Sequence, residues 1–329
     1  MTPELEIAVV APERAELRAL RPDQPKPGDP LAEDEVEGHT LVSAVSPGTE
    51  LSAAFTGNKF PAHPGYAAVF RVERTGSAVS DLEPGNAVFC MGAHRSFQRH
   101  KAARVVRLPD GLEPRVGVLT RLMSISMTTL VTTQARPPAP VLVVGLGPVG
   151  NLAAQVFHTS GYRVIGCDPV ATRRALLSRR GIEVVPAVPT QDDPLVGRVD
   201  LVVDCSGHEA AVLDACKLVR RGGEVVLVGV PWARRSEISA HALLHAVFHQ
   251  YAVLRSGWEW ELPLDSTDFR AGSIKANLEA GLHWLKAGRI DVSEFADLAA
   301  PSEAHDVYTR LLAQRTSGLT TVFDWTRSS

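Results

Sequence analysis

A regular alternation of apolar strands and helices governs the second half of this chain. Residues 141–150 read "VLVVGLGPVG", an apolar strand that runs into glycines, and the helical segment "NLAAQVFHTSG" follows. The alternation continues with "YRVIGCD", "PVATRRALLSRRG", "VDLVVDCSG", the predicted helix "HEAAVLDACKLVRRGG" and the strand "EVVLVGVP". Strands that alternate with helices through short loops indicate an α/β fold with a doubly wound parallel sheet.

Residues 1–110 read instead as short strands separated by Pro and Gly. The segments "HTLVSAVS", "GYAAVFRVERTG", "NAVFCMG" and "ARVVRLP" have the length and composition of strands. Residues 21–38, which include the acidic run "AEDEVEG", are predicted to form a solvated connecting loop. The pattern predicts a β-rich domain.

The chain is too long for one ordinary hydrophobic core, since it has 329 residues. A long helical stretch, "VGVLTRLMSISMTTLVTTQA", separates the two patterns. We predict a β-rich domain over residues 1–115, an α/β domain over 116–262 and a return segment over 263–329. The last strand of that segment, "GLTTVFDW", is expected to rejoin the first domain.

Composition argues against several kinds of partner. The net charge of −3 gives no support for binding to nucleic acid or to an anionic membrane. No apolar run reaches the roughly 18 residues of a membrane span, and the first residues do not resemble a signal peptide. The four cysteines form no C-x-x-C pair, which favours a reducing, cytoplasmic environment.

The glycines of "VLVVGLGPVG" have the spacing G-x-G-x-x-G between a strand and a helix. Gly145 permits the tight turn, Gly147 leaves room for a pyrophosphate, and Gly150 lets the helix and the strand pack closely. Pro148 and Val149 open the helix, whose free N–H groups and positive dipole end face the phosphates. The motif predicts a dinucleotide site.

The residues after the next strands support this site. Asp168 ends the second strand, where a carboxylate accepts the ribose hydroxyls, so NAD is favoured over NADP. Arg173 and Arg174 leave NADP open, because an arginine can bind the 2′-phosphate, although both can equally be solvated helix residues. The strand ends Cys205-Ser206 and Gly229-Val230 are further candidates for cofactor contact, with Cys205 alternatively a small core residue.

The whole pattern resembles the medium-chain dehydrogenase/reductase superfamily. "SPGTEL" is similar to its C-G-T-D loop, "HPGYAAVFRVERTG" to its G-H-E-x-x-G-x-V segment, and "VSDLEPGNAVF" to its V-x-x-x-K-x-G-D-R-V turn. Within the superfamily, these variants look closest to the branch that contains bacteriochlorophyllide dehydrogenase. The resemblance implies a GroES-like catalytic domain, hydride transfer with a nicotinamide, and a homodimer formed at the sheet edge.

The sequence departs from the zinc-dependent members at the metal ligands. Pro47 stands at the position of their cysteine, Tyr66 at that of their histidine, and Ser124 near the third ligand. None of these is a good zinc ligand. The lobe of closely spaced cysteines that holds structural zinc in relatives is absent. We therefore expect a protein that works without zinc.

Hydride transfer to or from an alcohol carbon needs a group that exchanges the hydroxyl proton. Thr49 matches the Ser or Thr that contacts the substrate oxygen in the family, Tyr66 carries an acidic hydroxyl, and His94 is a candidate proton relay. Their alternatives are a turn hydrogen bond, packing and an ordinary loop histidine. Glu50 is expected to orient the substrate or pair with a cation. Thr128 is a candidate contact for the nicotinamide, with helix packing as the alternative.

Two other groups are candidates for substrate contact. His241, His245 and His249 recur on one helix face, but zinc motifs of that spacing bring a carboxylate that is missing here, so we favour His245 as a cavity residue. Trp258 and Trp260 form an aromatic wall if the strand "YAVL" continues through them; packing in the core or at an interface is the alternative.

The sequence thus predicts a zinc-independent, NAD-preferring oxidoreductase that interconverts a secondary alcohol and a ketone on a small molecule. One alternative is an NADPH-dependent enoyl or quinone reductase that acts on an activated double bond. Another is a nucleotide-binding sensor without catalytic activity.

Overall fold

Strands fill the first third of the computed structural model, which describes residues 3–327, and strands and helices alternate after it. The strands are β1 (Leu5–Ala11), β2 (Arg14–Ala19), β3 (Glu35–Ala44), β4 (Ala68–Arg71), β5 (Arg74–Thr75), β6 (Ala87–Cys90), β7 (Phe97–Lys101), β8 (Val105–Arg107), β9 (Pro140–Val144), β10 (Arg163–Cys167), β11 (Glu183–Val185), β12 (Val199–Asp204), β13 (Val219–Leu227), β14 (Val253–Ser256), β15 (Ala296–Ala299) and β16 (Thr320–Asp324). The α-helices are α1 (Pro47–Glu50), α2 (Pro114–Gly117), α3 (Thr120–Thr132), α4 (Pro148–Thr159), α5 (Ala171–Ser178), α6 (Glu209–Leu218), α7 (Ala240–Gln250), α8 (Ile274–Lys286) and α9 (Ala304–Leu312).

The chain divides into two compact units. The first takes the chain up to Arg121, Leu282–Ala287 and the segment that begins at Val292, and the second takes Leu122–Gly281 and Gly288–Asp291. Within residues 3–327, no helix is both long and apolar enough to cross a membrane.

The second unit is built on one sheet with the strand order β11-β10-β9-β12-β13-β14, and every neighbouring pair is parallel. Alternate residues of β9 enter two apolar clusters. Leu142 and Val144 pack with residues of α6 and α7, whereas Val141 and Val143 pack with residues of α4 and α5. Both faces of the sheet are therefore covered, as an all-apolar strand requires. The predicted doubly wound α/β fold is confirmed.

The first unit is β-rich. Its main sheet has the order β15-β16-β3-β4-β6-β8, with β5 and β7 also paired to β3, and β1 and β2 form a separate hairpin. The last strand, β16, pairs antiparallel with β3, so the end of the chain rejoins the first unit as predicted. The large buried side chains Phe55, Tyr308 and Phe323 belong to one apolar cluster in this unit.

Two local predictions were wrong, and the condition set for a third was not met. Residues 35–38 begin β3 instead of a solvated loop: Glu37 is buried and accepts a hydrogen bond of 2.8 Å from Arg99 Nε. The predicted helix after residue 208 ends at Leu218, because the β-branched Val219 already pairs with Val199 in the sheet. Strand β14 ends at Ser256, and a 3₁₀ turn follows at Glu259–Glu261, so no strand continues through the two tryptophans.

Candidate functional site

Two glycines of the G-x-G-x-x-G turn are required by close packing in the second unit. Gly145 has a φ of +84°, and a Cβ atom there would lie 2.8 Å from the backbone nitrogen of Ser206. A Cβ atom at Gly150 would lie 1.7 Å from the carbonyl oxygen of Gly145. These glycines bring α4 against the ends of β9 and β12, as the motif predicts.

Gly147 differs from both, because a Cβ atom there would meet no heavy atom within 4 Å. Gly147 is the N-cap of α4, and Pro148 is the first helical residue. The first N–H groups of a helix lack partners within the helix and favour an anion. A bare backbone at a helix N-terminus, with open space over Gly147, fits the pyrophosphate of a dinucleotide.

Asp168 lies beside this turn and is 2% exposed. Its carboxylate accepts hydrogen bonds of 2.8 Å from the N–H groups of Leu146 and Val170. Arg173 Nη1 lies 3.5 Å from Oδ2 of Asp168. These hydrogen bonds show that Asp168 shapes the turn, and the contact with a ribose hydroxyl stays a prediction.

The ends of β12 and β13 approach closely. A Cβ atom at Gly229 would lie 2.5 Å from the backbone nitrogen of Gly207. The buried Asp204 carboxylate accepts hydrogen bonds from the N–H groups of Ser206, at 3.1 Å, and Gly207, at 3.2 Å. Burial raises the pKa of Asp204, and these hydrogen bonds oppose that rise. Sequence analysis missed Asp204, although an Asp side chain commonly accepts a hydrogen bond from the backbone N–H two residues later, as Asp204 does from Ser206.

The neighbouring Cys205 has a packing role. Its Cβ atom would lie 3.2 Å from a Cβ atom at Gly150, and burial raises the pKa of its thiol well above 9.0. Such a thiol is a poor nucleophile. Val230, after β13, is 46% exposed and is open to a ligand at the strand ends.

The remaining candidates in the second unit lie in varied settings. Thr128 is fully buried in α3, and its hydroxyl donates to the carbonyl oxygen of Ser124 at 3.3 Å, which suits helix packing. His245 is exposed midway along α7, with its ring centroid 4.2 Å from that of His249. Trp258 and Trp260 are 64% and 51% exposed.

The first unit brings hydroxyl groups together around Tyr66. The Tyr66 hydroxyl donates a short hydrogen bond to Ser46 Oγ, and the guanidinium carbon of Arg121 lies 4.7 Å from the centre of the Tyr66 ring. Burial raises the pKa of Tyr66 above its ordinary value of 10.0, although hydrogen bonds with Ser46 and Thr49 and the charge of Arg121 act in the opposite direction. The phenol is therefore protonated at neutral pH.

The loop that carries Ser46 and Thr49 is helical. Ser46 is the N-cap of α1, Pro47 is the first helical residue, and a π-helical turn follows at Leu51–Phe55. Pro suits this first position because its missing N–H would have no partner there. Thr49 and Tyr66 are both partly exposed, whereas Ser46 is buried. The sequence predicted a turn here. In the short helix that forms instead, Thr49 is partly exposed and its neighbour Glu50 is buried.

Glu50 and His94 are enclosed in the same unit. Glu50 is 3% exposed and His94 is 0% exposed, and their Oε2 and Nε2 atoms lie 3.0 Å apart. Both side chains are enclosed in this structure, so the roles expected for them, a substrate contact for Glu50 and a proton relay for His94, stay predictions.

The residues at the expected zinc position do not fit that metal. Pro47 offers no side-chain donor, and the Tyr66 hydroxyl is neutral and already donates to Ser46. Zinc sites use thiolate, imidazole or carboxylate ligands. Among residues 3–327, no group of three or more His, Cys, Asp or Glu side chains is arranged to hold a metal ion.

Comparisons with known proteins agree with the fold. Residues 148–259 match a family model described as zinc-binding dehydrogenase. Human sorbitol dehydrogenase is 26% identical over 227 residues, which cover 56% of this chain and 62% of that enzyme. An alcohol dehydrogenase from Geobacillus stearothermophilus is 28% identical over 255 residues, which cover 61% of this chain and 75% of that protein.

A solved structure covers nearly the whole chain. Galactitol-1-phosphate dehydrogenase from Escherichia coli superposes with a TM-score of 0.79 at 14% identity, covering 97% of this chain and 99% of that one. At this level of identity, the likeness concerns the fold.

Proposed function

This chain belongs to the medium-chain dehydrogenase/reductase superfamily, and on that premise we propose that it is a zinc-independent, nicotinamide-dependent oxidoreductase. In this proposal it interconverts a secondary alcohol and a ketone on a small-molecule substrate. The observation that carries the proposal is the protonated Tyr66 phenol, hydrogen-bonded to Ser46 at the position where zinc-dependent relatives have a metal ligand. An acidic hydroxyl there can replace the metal as the group that handles the substrate oxygen.

The cofactor supplies or accepts the hydride when bound. The residues that would hold it are Gly145, Gly147, Pro148, Val149, Gly150, Asp168, Arg173, Cys205, Ser206, Gly229 and Val230. In this proposal, the phosphates lie in the open space over Gly147, and Asp168, beside the turn, accepts a ribose hydroxyl. A carboxylate repels a 2′-phosphate, which supports NAD, while Arg173 beside it keeps NADP possible.

During ketone reduction, Tyr66 would break its hydrogen bond to Ser46 and donate that proton to the carbonyl oxygen, which leaves Tyr66 as a phenolate. The Arg121 guanidinium over the ring favours the phenolate that this leaves, because it lowers the pKa of Tyr66. Thr49 offers a second hydroxyl to the same oxygen. The pKa of Tyr66, raised above 10.0, keeps the phenol protonated at neutral pH, which is the form that ketone reduction requires of a proton donor.

A second candidate is reduction of an activated double bond with NADPH. The same protonated phenol could donate to the substrate after hydride addition, and the contact between Arg173 and Asp168 offers a cation for the 2′-phosphate. Turnover of enones with NADPH, without turnover of any ketone, would establish this candidate in place of the first.

The proposal extends to the setting of the protein. We propose a homodimer and a cytoplasmic location, as the resemblance and the cysteine pattern predict. Support for the dimer comes from β14, which is an edge strand of the parallel sheet, since edge strands offer unpaired backbone groups.

The test compares Tyr66→Phe with the control Tyr251→Phe, which changes a tyrosine that is 69% exposed. Both variants and the wild type are given NADH or NADPH with a panel of ketones and enones. We expect Tyr66→Phe to lower kcat for ketone reduction about 100-fold or more, with KM little changed, since general acids contribute that much. Failure of the wild type to bind either nucleotide would refute the proposal, as would full ketone turnover by Tyr66→Phe.

A further inference from the structure

We propose that a buried chain of hydrogen bonds centred on Glu50 positions the Tyr66 hydroxyl, so that Glu50, His94 and Tyr308 are positioning residues. The inference rests on the proposed function, because it takes Tyr66 as the group that meets the substrate oxygen. Tyr308 lies in α9, far along the sequence from the loop that it would support.

Glu50 is held by three donors. Its Oε1 atom accepts a hydrogen bond of 2.7 Å from the backbone N–H of Ser46. Its Oε2 atom accepts from the hydroxyl of Tyr308 at 2.6 Å and lies 3.0 Å from Nε2 of His94. A buried carboxylate is costly unless its oxygens are satisfied in this way. The carboxylate thereby fixes the backbone of Ser46, whose side-chain oxygen accepts from Tyr66.

The hydrogen-bond network assigns the tautomer of His94. A carboxylate only accepts, so Nε2 of His94 carries a hydrogen and donates to Glu50. Nδ1 of His94 lies 2.8 Å from Oγ of Ser43, and that oxygen already accepts from Nε1 of Trp325 at 2.9 Å. The Ser43 hydroxyl can therefore donate to Nδ1, which completes a chain of hydrogen bonds from Trp325 through Ser43 and His94 to Glu50.

Donor groups that do not titrate near neutral pH close the chain at both ends. The indole of Trp325 is a donor only. Burial and the Glu50 charge raise the pKa of Tyr308 well above 10.0, so its hydroxyl donates to Glu50 throughout the working range of pH. The two ends of the chain therefore keep their hydrogens at neutral pH.

The chain of hydrogen bonds is closely packed on the side of the Tyr66 loop and among aromatic rings. A Cβ atom at Gly65, the residue before Tyr66, would lie 2.6 Å from the backbone nitrogen of His94 and 2.8 Å from its ring. Only glycine lets the loop lie so close to His94. The ring of Phe55 stacks on Tyr308 with centroids 5.3 Å apart, and Phe323 meets the edge of His94 at 5.2 Å.

Glu50 also acts on Tyr66 through its charge. The negative charge raises the pKa of the Tyr66 phenol, in opposition to Arg121. A change at Tyr308 or Glu50 should therefore reach Tyr66 by two routes, the position of Ser46 and the local field. A residue with only a structural role would change stability and leave the Tyr66 signal unaltered.

The test uses full-length protein with ¹³Cζ-labelled tyrosine, which gives four signals, since the chain has 4 tyrosines. Tyr308→Phe keeps the ring and removes only the donor to Glu50. Tyr162→Phe is the matched control, because Tyr162 is also buried and donates to the carbonyl oxygen of Ala135, but in the second unit. Glu50→Gln is the second variant, and it removes the charge.

We expect Tyr308→Phe to shift the Tyr66 signal and to lower kcat about tenfold, the size of one hydrogen bond to a charged group, with KM unchanged. Glu50→Gln should lower the pKa of Tyr66, and Tyr162→Phe should change neither the signal nor kcat. A Tyr66 signal and titration identical to wild type in Tyr308→Phe would overturn the inference, even if Glu50→Gln does not fold. A ¹⁵N spectrum that places the His94 proton on Nδ1 alone would overturn it as well.

The outcome separates this inference from the proposed function. If the Tyr66 signal responds to Tyr308→Phe but Tyr66→Phe keeps full ketone turnover, the hydrogen-bond chain stands and the proposed function fails. If Tyr66→Phe abolishes turnover but the ¹³Cζ signal of Tyr66 is the same in Tyr308→Phe as in the wild type, only the positioning inference fails.

Discussion

The glycine turn of the second unit and a group of side chains in the first unit each form a fixed polar site, but in different ways. We call the group of side chains, which runs from Tyr308 through Glu50 to Ser46 and Tyr66, the hydroxyl cluster. The glycine turn uses backbone groups and the absence of side chains, as at Gly147, where a Cβ atom would meet only open space. The hydroxyl cluster uses side chains that hold one another, from Tyr308 through Glu50 to Ser46 and Tyr66. A backbone site is sensitive to added atoms, whereas a side-chain cluster is sensitive to removed ones.

Buried carboxylates show the same difference. Asp168 accepts from the N–H groups of Leu146 and Val170, which lie just after the ends of β9 and β10. Glu50 accepts from the side chains of His94 and Tyr308 as well as from one backbone group. Each carboxylate is satisfied, but only the second depends on side chains brought from distant parts of the chain.

The largest expected effect separates two glycines within the turn. Gly150→Ala places a Cβ atom 1.7 Å from a carbonyl oxygen, so we expect it to lower the free energy of unfolding of the second unit by about 3 kcal/mol. Gly147→Ala meets no atom and should cost about 0.5 kcal/mol or less, but it should weaken NADH binding at least about tenfold by filling the phosphate space.

Urea unfolding and fluorescence titration with NADH measure the two effects. Loss of stability in Gly147→Ala with none in Gly150→Ala would contradict the division of roles within the turn. Unchanged NADH affinity in Gly147→Ala would show that the phosphates of NADH do not occupy the space over this residue.

The next effect is the pH dependence of kcat, which tests the role of Tyr66 in the hydroxyl cluster. The pKa of Tyr66 lies above 10.0 in the folded protein, and the protonated form is the proposed acid. Activity that needs this form is complete below that pKa and is lost as pH rises through it. We expect kcat for ketone reduction to have no Tyr66 titration between about pH 6 and 9, and to fall about tenfold per unit well above pH 10.

A pH profile of kcat in the wild type and in Tyr66→Phe checks this expectation. The residual activity of the variant should lack the alkaline fall. A fall centred near neutral pH that disappears in the variant would show that Tyr66 titrates there and acts as a base.

The smallest expected effect is on the preference for NADH over NADPH, which depends on the second unit. Arg173→Ala removes the guanidinium that lies 3.5 Å from Asp168, which should raise the preference for NADH over NADPH about fivefold, because the carboxylate charge is then less compensated. Arg174→Ala is the matched control: Arg174 Nη1 donates to the carbonyl oxygen of Asp168 at 2.7 Å, and its removal should leave the preference unchanged. Equal shifts in both variants would assign the effect to net charge.

Predictability from sequence differed between the two sites. Gly145, Gly147 and Gly150 were assigned their separate tasks from spacing alone, because a strand, a tight turn and a helix are local and their geometry restricts each position. Asp204 was missed because it is the last residue of a predicted strand, and nothing in the strand pattern indicated that its carboxylate accepts hydrogen bonds from the following turn. Glu50 was expected to orient the substrate or pair with a cation, and His94 to relay a proton, without any sign that both side chains are buried, because burial cannot be inferred from a loop sequence.

The sequence by itself determined the doubly wound sheet, the glycine turn and the return of the last strand to the first unit. Those features follow from the periodicity of apolar residues and from the backbone freedom of glycine, both of which act over a few residues. Tertiary structure decided which side chains surround Tyr66. Ser43 and Trp325, whose side chains lie 2.9 Å apart, are separated by 282 positions in the chain and meet near the point where β16 pairs with β3. No local pattern specifies such a contact, because it depends on the packing of the whole first unit.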